Sequence, residues 1–426
     1  MKVLALDIGS SSVKAALLQN ERVTRSSRAE FMTRYESGRA EVDPDKLMAA
    51  VAKALRELNA KSVDLIAPDA MAASWVAMDA KGKPLTPIIT HQDRRSVEIA
   101  FELERRVGKE RLLKLAGNRP FPGGISSTTA AWFARHHKPL MRRAALTGHI
   151  TTLLLHQWTG ARLTDPSNAS FMGTFNTTTL KGWNDELCDA VGVRMNQLPD
   201  VKNANEIAGR LTPLAASRCG LRQGTPILTG FMDTSAAVLA AGANAGHLLN
   251  SCGSTDVLAV CTAKARPHER LLTRALGVEK KWLSIYTIAA AGTALAWMHR
   301  TFFGDLTADA FFRRLKRLPD AGGVRCEPYL AGDRMDVQQK QATFSGVTLS
   351  TTRERMLASL VNAIAAESAA RLPLLRKVAK LSKNVTLTGG GSGDEIFHRN
   401  WGRGWRFTRR EELNVLGLAK LATMAR

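Results

Sequence analysis

Three short segments rich in glycine, serine and threonine are the places in this sequence where a phosphate group could be held. They are residues 7–12, followed by Lys14, residues 250–256 and residues 388–394. Glycine lets the backbone come close to an anion, and hydroxyl and N–H groups donate hydrogen bonds to phosphate oxygens. None of the three continues as the Gly-Lys-Ser/Thr of a Walker loop. Each alone is also typical of a turn or a linker, so only their combination predicts a nucleotide site.

Acidic side chains beside these segments add a second kind of chemistry. Asp7 ends an apolar run, where a carboxylate suits Mg²⁺ directly or through water. Lys14 could neutralise phosphate charge or lie at the edge of a strand. Asp233 follows a glycine turn and precedes a small-residue helix, a position where aspartate commonly caps a helix. A carboxylate there could also accept the proton of a hydroxyl that attacks phosphorus.

Apolar runs and turn residues predict the elements that would position these side chains. Strands are predicted over residues 3–8, 13–18, 226–229 and 385–387. Helices are predicted over residues 45–58, 234–241 and 354–375, where apolar residues recur at helical spacing. Strands and helices alternate along the whole chain, which predicts an α/β protein.

Length and composition favour a globular protein of more than one domain. The chain has 426 residues, of which 45% are hydrophobic and 23% are charged, so two large or three small domains are expected. No uncharged apolar run is long enough for a membrane span, and the N-terminus has no secretory signal. The five cysteines are scattered without CxxC spacing, which predicts neither zinc nor a disulfide framework. A reducing cytoplasm is the expected location.

The charge of the chain is its most unusual compositional feature. Lysine and arginine number 60 against 38 acidic residues, a net charge of +22. Such an excess can indicate nucleic-acid binding. The basic residues are nevertheless spread along the chain, and the densest group, residues 313–317, falls on a helical pattern. We therefore expect no nucleic-acid partner, and interpret the charge as an attraction for phosphorylated ligands or a bias of the host.

Taken together, the three segments and several other motifs resemble the FGGY family of carbohydrate kinases, within the larger group of actin-like ATPases. The resemblance runs across nearly the whole chain. Residues 6–15 resemble the family's first phosphate motif, and residues 224–242 resemble the segment that carries its catalytic aspartate. Residues 253–255 resemble its second phosphate motif, and residues 390–392 its adenosine motif. Further similar motifs are residues 41–44, 79–85, 91–95, 328–334 and 416–422.

The resemblance implies two ribonuclease-H-like domains, residues 1–243 and 244–426, with ATP and a sugar in the cleft between them. It implies that Asp233 is the base for the sugar hydroxyl and that Asp7 holds Mg²⁺. Placement and charge neutralisation would supply most of the catalysis, because phosphoryl transfer has a loose transition state. The residues implied in ATP binding are Gly9, Ser10, Ser11, Lys14, Gly253, Ser254, Thr255, Gly292, Gly390, Gly391 and Asp394.

The acceptor pocket implied by the resemblance is where this chain departs most from the family pattern. Its residues are Met71, His91, Asp93, Arg95 and Asp233. Asp93 and Arg95 offer a carboxylate and a fork of donors suited to adjacent hydroxyls. His91 stands where the family has tryptophan, which counts against glycerol, and Ala72 stands where many pentulose kinases carry histidine. Likewise, Ala291 replaces one glycine of a pair, and Asp394 replaces a common amide.

We therefore expect an ATP-dependent kinase that phosphorylates a hydroxyl of a small sugar, with a ketose such as xylulose as the acceptor. Ribulose, sedoheptulose, gluconate and glycerol stay open as alternative acceptors. An actin-like ATPase without a sugar substrate also stays open, although it would not need the set formed by Asp93, Arg95 and Asp233. A homodimer is left open as well.

Overall fold

The computed structural model describes residues 1–389 and 394–425. The strands are β1 (Lys2–Ile8), β2 (Ser12–Gln19), β3 (Arg22–Glu30), β4 (Thr33–Glu36), β5 (Arg39–Val42), β6 (Leu65–Ala70), β7 (Ser74–Met78), β8 (Ile88–Thr90), β9 (Leu146–Gly148), β10 (Leu163–Thr164), β11 (Asp200–Val201), β12 (Ile207–Arg210), β13 (Pro226–Leu228), β14 (Phe231–Met232), β15 (Leu248–Cys252), β16 (Asp256–Thr262), β17 (Leu272–Ala275), β18 (Trp282–Ile288), β19 (Arg325–Glu327), β20 (Thr343–Ser345), β21 (Asn384–Thr388) and β22 (Arg406–Arg409).

Helices alternate with strands or groups of strands along the chain, as the α/β prediction requires. They are α1 (Pro44–Leu58), α2 (Val97–Val107), α3 (Lys109–Leu115), α4 (Ser126–His136), α5 (Lys138–Arg143), α6 (Ile150–Thr159), α7 (Pro166–Met172), α8 (Asp185–Val191), α9 (Pro213–Cys219), α10 (Asp233–Ala240), α11 (Gly292–Phe302), α12 (Ala308–Arg314), α13 (Arg353–Val378), α14 (Asp394–His398) and α15 (Leu413–Thr423). The α/β class is confirmed, as are the helices predicted over 45–58, 234–241 and 354–375, to within three residues at each end.

The chain divides into two compact units. The first consists of Met1–Ala243, Thr262–Leu283 and Glu412–Arg426, and the second of Asn244–Cys261 and Ser284–Glu411. The predicted domain of residues 244–426 therefore differs from the second unit, since two of its segments belong to the first. The reason is packing: β17 lies against α7, and α15 lies against α10, β1 and β6.

A mixed sheet with the order β12-β13-β6-β1-β2-β3 forms the centre of the first unit, and β14 pairs with β6 off this path. Strands β1 and β2 form the predicted antiparallel hairpin. Strand β6 runs parallel to β1, to β13 and to β14. Because the ends of parallel strands meet at one edge of a sheet, the residues after β1, β6 and β14 come together there.

Helix α1 shows why the predicted elements form where they do. Asp43 caps it by accepting hydrogen bonds from the amides of residues 45 and 46, and Pro44 occupies its first position. Its buried face, which includes Leu47, Val51 and Leu55, packs into the core cluster of the first unit. Asn59 ends the helix in the left-handed conformation, with a φ of 52°.

The second unit is built around the strands β16, β15, β21 and β22. Strand β15 pairs antiparallel with β16 and parallel with β21, which in turn pairs parallel with β22. Helix α13, 26 residues long, begins at the cap residue Thr352 and buries a stripe that includes Leu357, Leu360 and Ile364. Its buried face also carries an arginine, Arg371, whose side chain is fully buried.

Candidate active site

Three aspartates from three neighbouring strand ends define the candidate site in the first unit. Asp7 in β1 lies opposite Asp69 in the parallel strand β6. Residue 69 in turn lies opposite Phe231 in β14, and β14 ends one residue before Asp233. The three carboxyl groups are close enough for the charge of Asp233 to act on both of the others. This brings together two predicted residues, Asp7 and Asp233, and one that we did not predict.

Burial decides the protonation of Asp69. Its side chain is fully buried, and its hydrogen-bonding neighbours are the Asp7 carboxyl group and the Ile8 backbone. Burial raises the pKa of Asp69 well above its ordinary range, and the charges of Asp7 and Asp233 raise it further. The pKa of Asp7 is raised too, chiefly by burial, although Asp69 and Asn414 lower it by hydrogen bonding. The hydrogen bond between the two carboxyl groups thus raises the pKa of Asp69 and lowers the pKa of Asp7.

The loop between β1 and β2 carries the first predicted phosphate motif. The Gly9 N–H donates to the Ser12 carbonyl at 3.0 Å, which closes the turn. Ser10 and Ser11 are exposed, so their hydroxyls can reach a ligand. Lys14 lies opposite Asp7 in the hairpin, and its Nζ pairs with the Glu412 carboxylate at 2.5 Å. The lysine that we predicted to neutralise phosphate charge therefore has a protein partner.

Asp233 is the first residue of α10, and the residue at the cap position is Met232. The Asp233 carboxylate accepts hydrogen bonds from the backbone N–H and the hydroxyl of Thr234, at 2.5 and 3.0 Å. The side chain is half-buried. A half-buried carboxylate at a helix start, next to two other carboxyl groups, has the position and the chemistry to accept a proton.

The predicted acceptor residues 91–95 form a loop that is held by its own side chains. Asp93 is completely buried, and its carboxylate accepts from the Ala40 amide and from the Arg95 guanidinium at 2.7–3.0 Å. Arg95 also pairs with Glu41 at 2.5 Å. The predicted pair therefore binds each other rather than pointing into open space. His91 and Met71, at 8% and 2% exposure, are buried as well.

In the second unit, the predicted residues of the second phosphate motif do come together. Gly253, Ser254 and Thr255 connect β15 to β16. The Gly292 amide donates to the Gly253 carbonyl at 3.1 Å, and the Thr293 hydroxyl donates to the Ser254 carbonyl at 3.0 Å. A Cβ on residue 292 would lie 2.5 Å from the Gly253 carbonyl oxygen, which explains why glycine is needed there.

The third predicted segment starts against the same loop. A Cβ on Gly389 would lie 2.3 Å from the Cys252 carbonyl oxygen, and this glycine has a φ of +98°. Gly390 and Gly391 lie outside the described residues. Asp394 is the first residue of α14. At Gly389, directly after β21, the backbone therefore packs against the backbone of Cys252. A flexible linker would not make such a contact.

A buried polar network, which we did not predict, anchors the second phosphate loop. The Arg371 guanidinium donates to the Asp256 carboxylate at 2.5 Å and to its carbonyl oxygen at 3.3 Å. Asn250 donates to the same carboxylate, and His398 is hydrogen-bonded to the Asn250 side-chain oxygen at 2.5 Å. Both members of the ion pair have fully buried side chains. Helix α13 therefore holds the residue that directly follows Thr255.

Asp69, Arg274 and Arg371 are buried charged residues that escaped the sequence-based prediction, and each had only a weak signal. Asp69 interrupts the apolar strand 65–70, Arg274 interrupts the apolar run 271–276, and Arg371 lies within the apolar stripe of α13. A charge at a core position is the signal that could have found them, because such residues are rarely buried without a partner. What that partner is could not be read from the sequence.

Comparisons with known proteins identify the family of the chain. The model of the N-terminal domain of the FGGY family of carbohydrate kinases matches residues 2–240. The chain is 24% identical over 411 residues to a xylulose kinase of Bacillus subtilis (strain 168), a match that covers 93% of this chain and 81% of the relative. It is 25% identical over 426 residues to an L-fuculokinase of Escherichia coli (strain K12), which covers 93% and 86% of the two chains.

A solved structure shows the same fold. The xylulose kinase from Rhodospirillum rubrum superposes with a TM-score of 0.84 at 23% identity, covering 100% of this chain and 90% of that one. This confirms the predicted two-domain fold of the actin-like ATPase group. The family model spans more than half of the chain, from the first phosphate motif to the helix that begins with Asp233. The chain therefore belongs to the FGGY family of carbohydrate kinases, enzymes that transfer a phosphoryl group from ATP to an alcohol group.

Proposed function

We propose that this kinase transfers the γ-phosphate of ATP to a hydroxyl of a ketose of the xylulose type. The observation that carries the proposal is the meeting of Asp7 and Asp233 at one edge of the first unit's sheet. The similarity to a xylulose kinase along 93% of the chain supports the choice of acceptor. The similarity to an L-fuculokinase supports a sugar rather than a non-sugar acceptor.

Asp233 is the proposed base. A sugar hydroxyl is a weak nucleophile, and it attacks phosphorus effectively only if its proton leaves as the new bond forms. The half-buried Asp233 carboxylate, fixed by the Thr234 amide and hydroxyl, can accept that proton. The carboxyl groups of Asp7, Asp69 and Asp233 together favour a bound proton. A bound metal and the phosphates would favour release of that proton. Asp233 then returns the proton to solvent after the sugar phosphate leaves.

The phosphates are proposed to lie on the two hydroxyl-rich loops. Ser10 and Ser11 present exposed hydroxyls in the first unit, and residues 253–255 present N–H and hydroxyl groups in the second. The rigid contacts of Gly292 and Arg371 beneath residues 253–256 preorganise the second loop. Preorganised donors stabilise the spread charge of the transition state more than mobile ones do.

Mg²⁺ is the proposed metal, with Asp7 as its protein ligand. The fit rests on chemistry: Asp7 is a hard oxygen ligand at a strand end, and magnesium is usually held by one or two carboxylates together with substrate phosphates. Among the described residues, no group of three or more His, Cys, Asp or Glu side chains is arranged to cage a metal. When bound, the metal would neutralise phosphate charge during transfer. Asp69 and Asn414 would hold Asp7 in place for it.

The acceptor pocket is proposed to involve Met71 and His91, with Asp93 and Arg95 shaping it. Because Asp93 and Arg95 bind each other, they hold the His91 loop against the strand of Glu41. Their direct contact with sugar hydroxyls, as the family resemblance implied, stays a prediction. The structure favours a supporting role for this pair.

The cellular setting is proposed to be the cytoplasm. All five cysteines are free thiols, and four of them are buried, which suits a reducing compartment. No described helix is both long and apolar enough to cross a membrane. Nucleic acid is not a proposed partner.

One assay tests both the reaction and the acceptor. ADP formation would be measured with D-xylulose, D-ribulose, sedoheptulose, L-fuculose, D-gluconate and glycerol, and without acceptor. We expect ADP formation to depend on the acceptor and to be fastest with a ketose. Equal rates with and without every acceptor would refute the kinase proposal and favour an ATPase that needs no sugar.

The Asp233→Asn variant tests the base. Asparagine caps a helix about as well as aspartate, but it cannot accept the proton. We expect kcat to fall roughly 10²- to 10⁴-fold, the range for general base catalysis, with little change in the KM for ATP. The matched control is Asp185→Asn, the same change at the exposed first residue of α8, which should leave kcat unchanged. Normal turnover of Asp233→Asn would retire the proposed base.

A further inference from the structure

Arg274 is a completely buried cation in the first unit. It lies in β17, and only 1% of the residue is exposed. Its Nη1 donates to the Ser235 hydroxyl at 2.6 Å, and its guanidinium carbon lies 5.8 Å from the centre of the Phe171 ring. A buried charge is costly unless other charges compensate it. Something near Arg274 must therefore carry negative charge.

Two aspartates provide that charge. Burial lowers the pKa of Arg274 to about 10, and the charges of Asp233 and Asp165 act against this decrease. Asp165 is itself buried and accepts from the Ser167 and Asn168 amides at 2.8 and 3.2 Å, so it caps α7. The guanidinium stays charged at neutral pH, and the proposed base is one of its two negative neighbours.

The same buried layer holds the backbone on both sides of Asp233. The Met232 amide, one residue before it, donates to the Ser167 hydroxyl at 3.1 Å. The Ser235 hydroxyl, two residues after it, accepts from Arg274. The first turn of α10 is thus held through one hydrogen bond from α7 and one from β17. Neither Ser167 nor Arg274 is in any of the sequence motifs that predicted the site.

The charges around Asp233 make the position of Arg274 functional rather than only structural. Asp7 from β1 acts on Asp233 as a like charge, and like charges push a carboxylate to reorient. Arg274 is the buried opposite charge on another element packed in the same unit. Without it, Asp233 would keep the repulsion and lose the attraction.

We infer that Arg274 is a positioning residue for the reaction: through its hydrogen bond to Ser235 and through its charge, it holds the first turn of α10, and with it the Asp233 carboxylate, in place. This inference rests on the proposed role of Asp233 as the base. It predicts that the loss of Arg274 lowers kcat and leaves the KM for ATP nearly unchanged, because the phosphate loops consist of other residues.

The test compares Arg274→Met with Arg274→Lys on whichever acceptor of the panel gives the highest turnover. Methionine keeps a long unbranched side chain and removes the charge. Lysine keeps the positive charge but lacks the several N–H donors of the planar guanidinium. We expect kcat of the methionine variant to fall about 10²-fold, as for a displaced catalytic group. The kcat of the lysine variant should be at least tenfold higher than that of the methionine variant. Arg162→Met is the matched control, since Arg162 is an exposed arginine of the same unit that binds only backbone carbonyls in its described contacts.

Several outcomes would overturn the inference. They are a kcat for Arg274→Met within threefold of the unsubstituted enzyme, a lysine variant no better than the methionine variant, or a loss that appears in the KM for ATP instead of kcat. If Arg274→Met does not fold, Ser235→Ala decides: it removes the hydrogen bond alone, and a kcat that does not fall at all would refute the role.

Parallel measurement of Asp233→Asn separates this inference from the proposed function. An active Asp233→Asn enzyme would refute the base itself. An inactive Asp233→Asn enzyme together with a normal Arg274→Met enzyme would leave the base in place and refute only the role of Arg274.

Discussion

Replacing Asp256 by asparagine should destabilise the second unit far more than the same change at its surface. Asp256 and Arg371 form an ion pair in which both side chains are 0% exposed, with a 2.5 Å contact between Arg371 Nη2 and the carboxylate. Asparagine keeps the shape and can still hydrogen-bond to Asn250. It removes the charge, however, and leaves the Arg371 guanidinium buried without an anionic partner.

The magnitude follows from that burial. Breaking one side of a fully buried ion pair costs about 3–5 kcal/mol, because the remaining charge has lost both water and partner. Arg371 keeps its hydrogen bonds to the Ser368 hydroxyl and to the carbonyl oxygen of residue 256, so we expect a loss near the lower end, about 3 kcal/mol. Since whole domains are stable by only about 5–15 kcal/mol, this would be a large share of the unit's stability.

Urea denaturation followed by tryptophan fluorescence would measure the change, because Trp401 and Trp405 lie in this unit and Trp401 binds Ser368 of the same network. The control is Asp305→Asn, which breaks an ion pair with Arg353 in the same unit whose side chains are 54% and 37% exposed. Exposed pairs contribute about 0–1 kcal/mol. Equal destabilisation by the two substitutions would refute the reasoning.

Two further predictions concern pH and the second phosphate loop. Burial lowers the pKa of His149 from 6.5 to about 4. Between pH 6.5 and pH 4 the unfolded chain therefore binds more protons than the folded chain. The free energy of unfolding should fall by about 3 kcal/mol from about pH 7 to about pH 4. Urea titrations at each pH would show this slope, and it should shrink in His149→Gln but persist in the exposed control His136→Gln. Gly292→Ala places a Cβ 2.5 Å from the Gly253 carbonyl oxygen, and should lower kcat/KM for ATP roughly 10- to 100-fold by displacing the loop. Gly304→Ala, in the turn after α11, places a Cβ 3.6 Å from the Arg300 carbonyl oxygen. It should leave kcat/KM unchanged, and a similar loss in both variants would contradict the steric explanation.

Local patterns were enough to predict the elements that position the site. The hairpin around residues 9–12, the capped helix that begins at Pro44 and the strand before Asp233 all follow from apolar spacing and turn residues, which act over a few positions. The convergence of the Gly253 loop with Gly292 was predicted only through the family resemblance. Nothing in the spacing of residues 39 positions apart indicates that their backbones touch.

The sequence could not predict which charged side chains would bind each other. Asp93 and Arg95 looked like a pair of ligands for sugar hydroxyls, yet the guanidinium folds back onto the carboxylate two residues away and onto Glu41. Lys14 likewise pairs with Glu412, 398 residues further along the chain. The sequence likewise could not show that residues 262–283 and 412–426 belong to the first unit, because their placement depends on contacts between distant elements.

Both units have a buried arginine near a carboxylate that adjoins a functional loop. Each has a carboxylate beside a functional loop, Asp233 in the first and Asp256 in the second, and each places a fully buried arginine next to it. A lysine would supply the charge, but it could not bind Asp256 through its carboxylate and its carbonyl while also reaching Ser368, as Arg371 does with its planar fork. Fixed donors matter most in phosphoryl transfer, where placement supplies most of the rate. The buried arginines, rather than the many surface cations, are therefore the part of this basic chain on which we expect catalysis to depend.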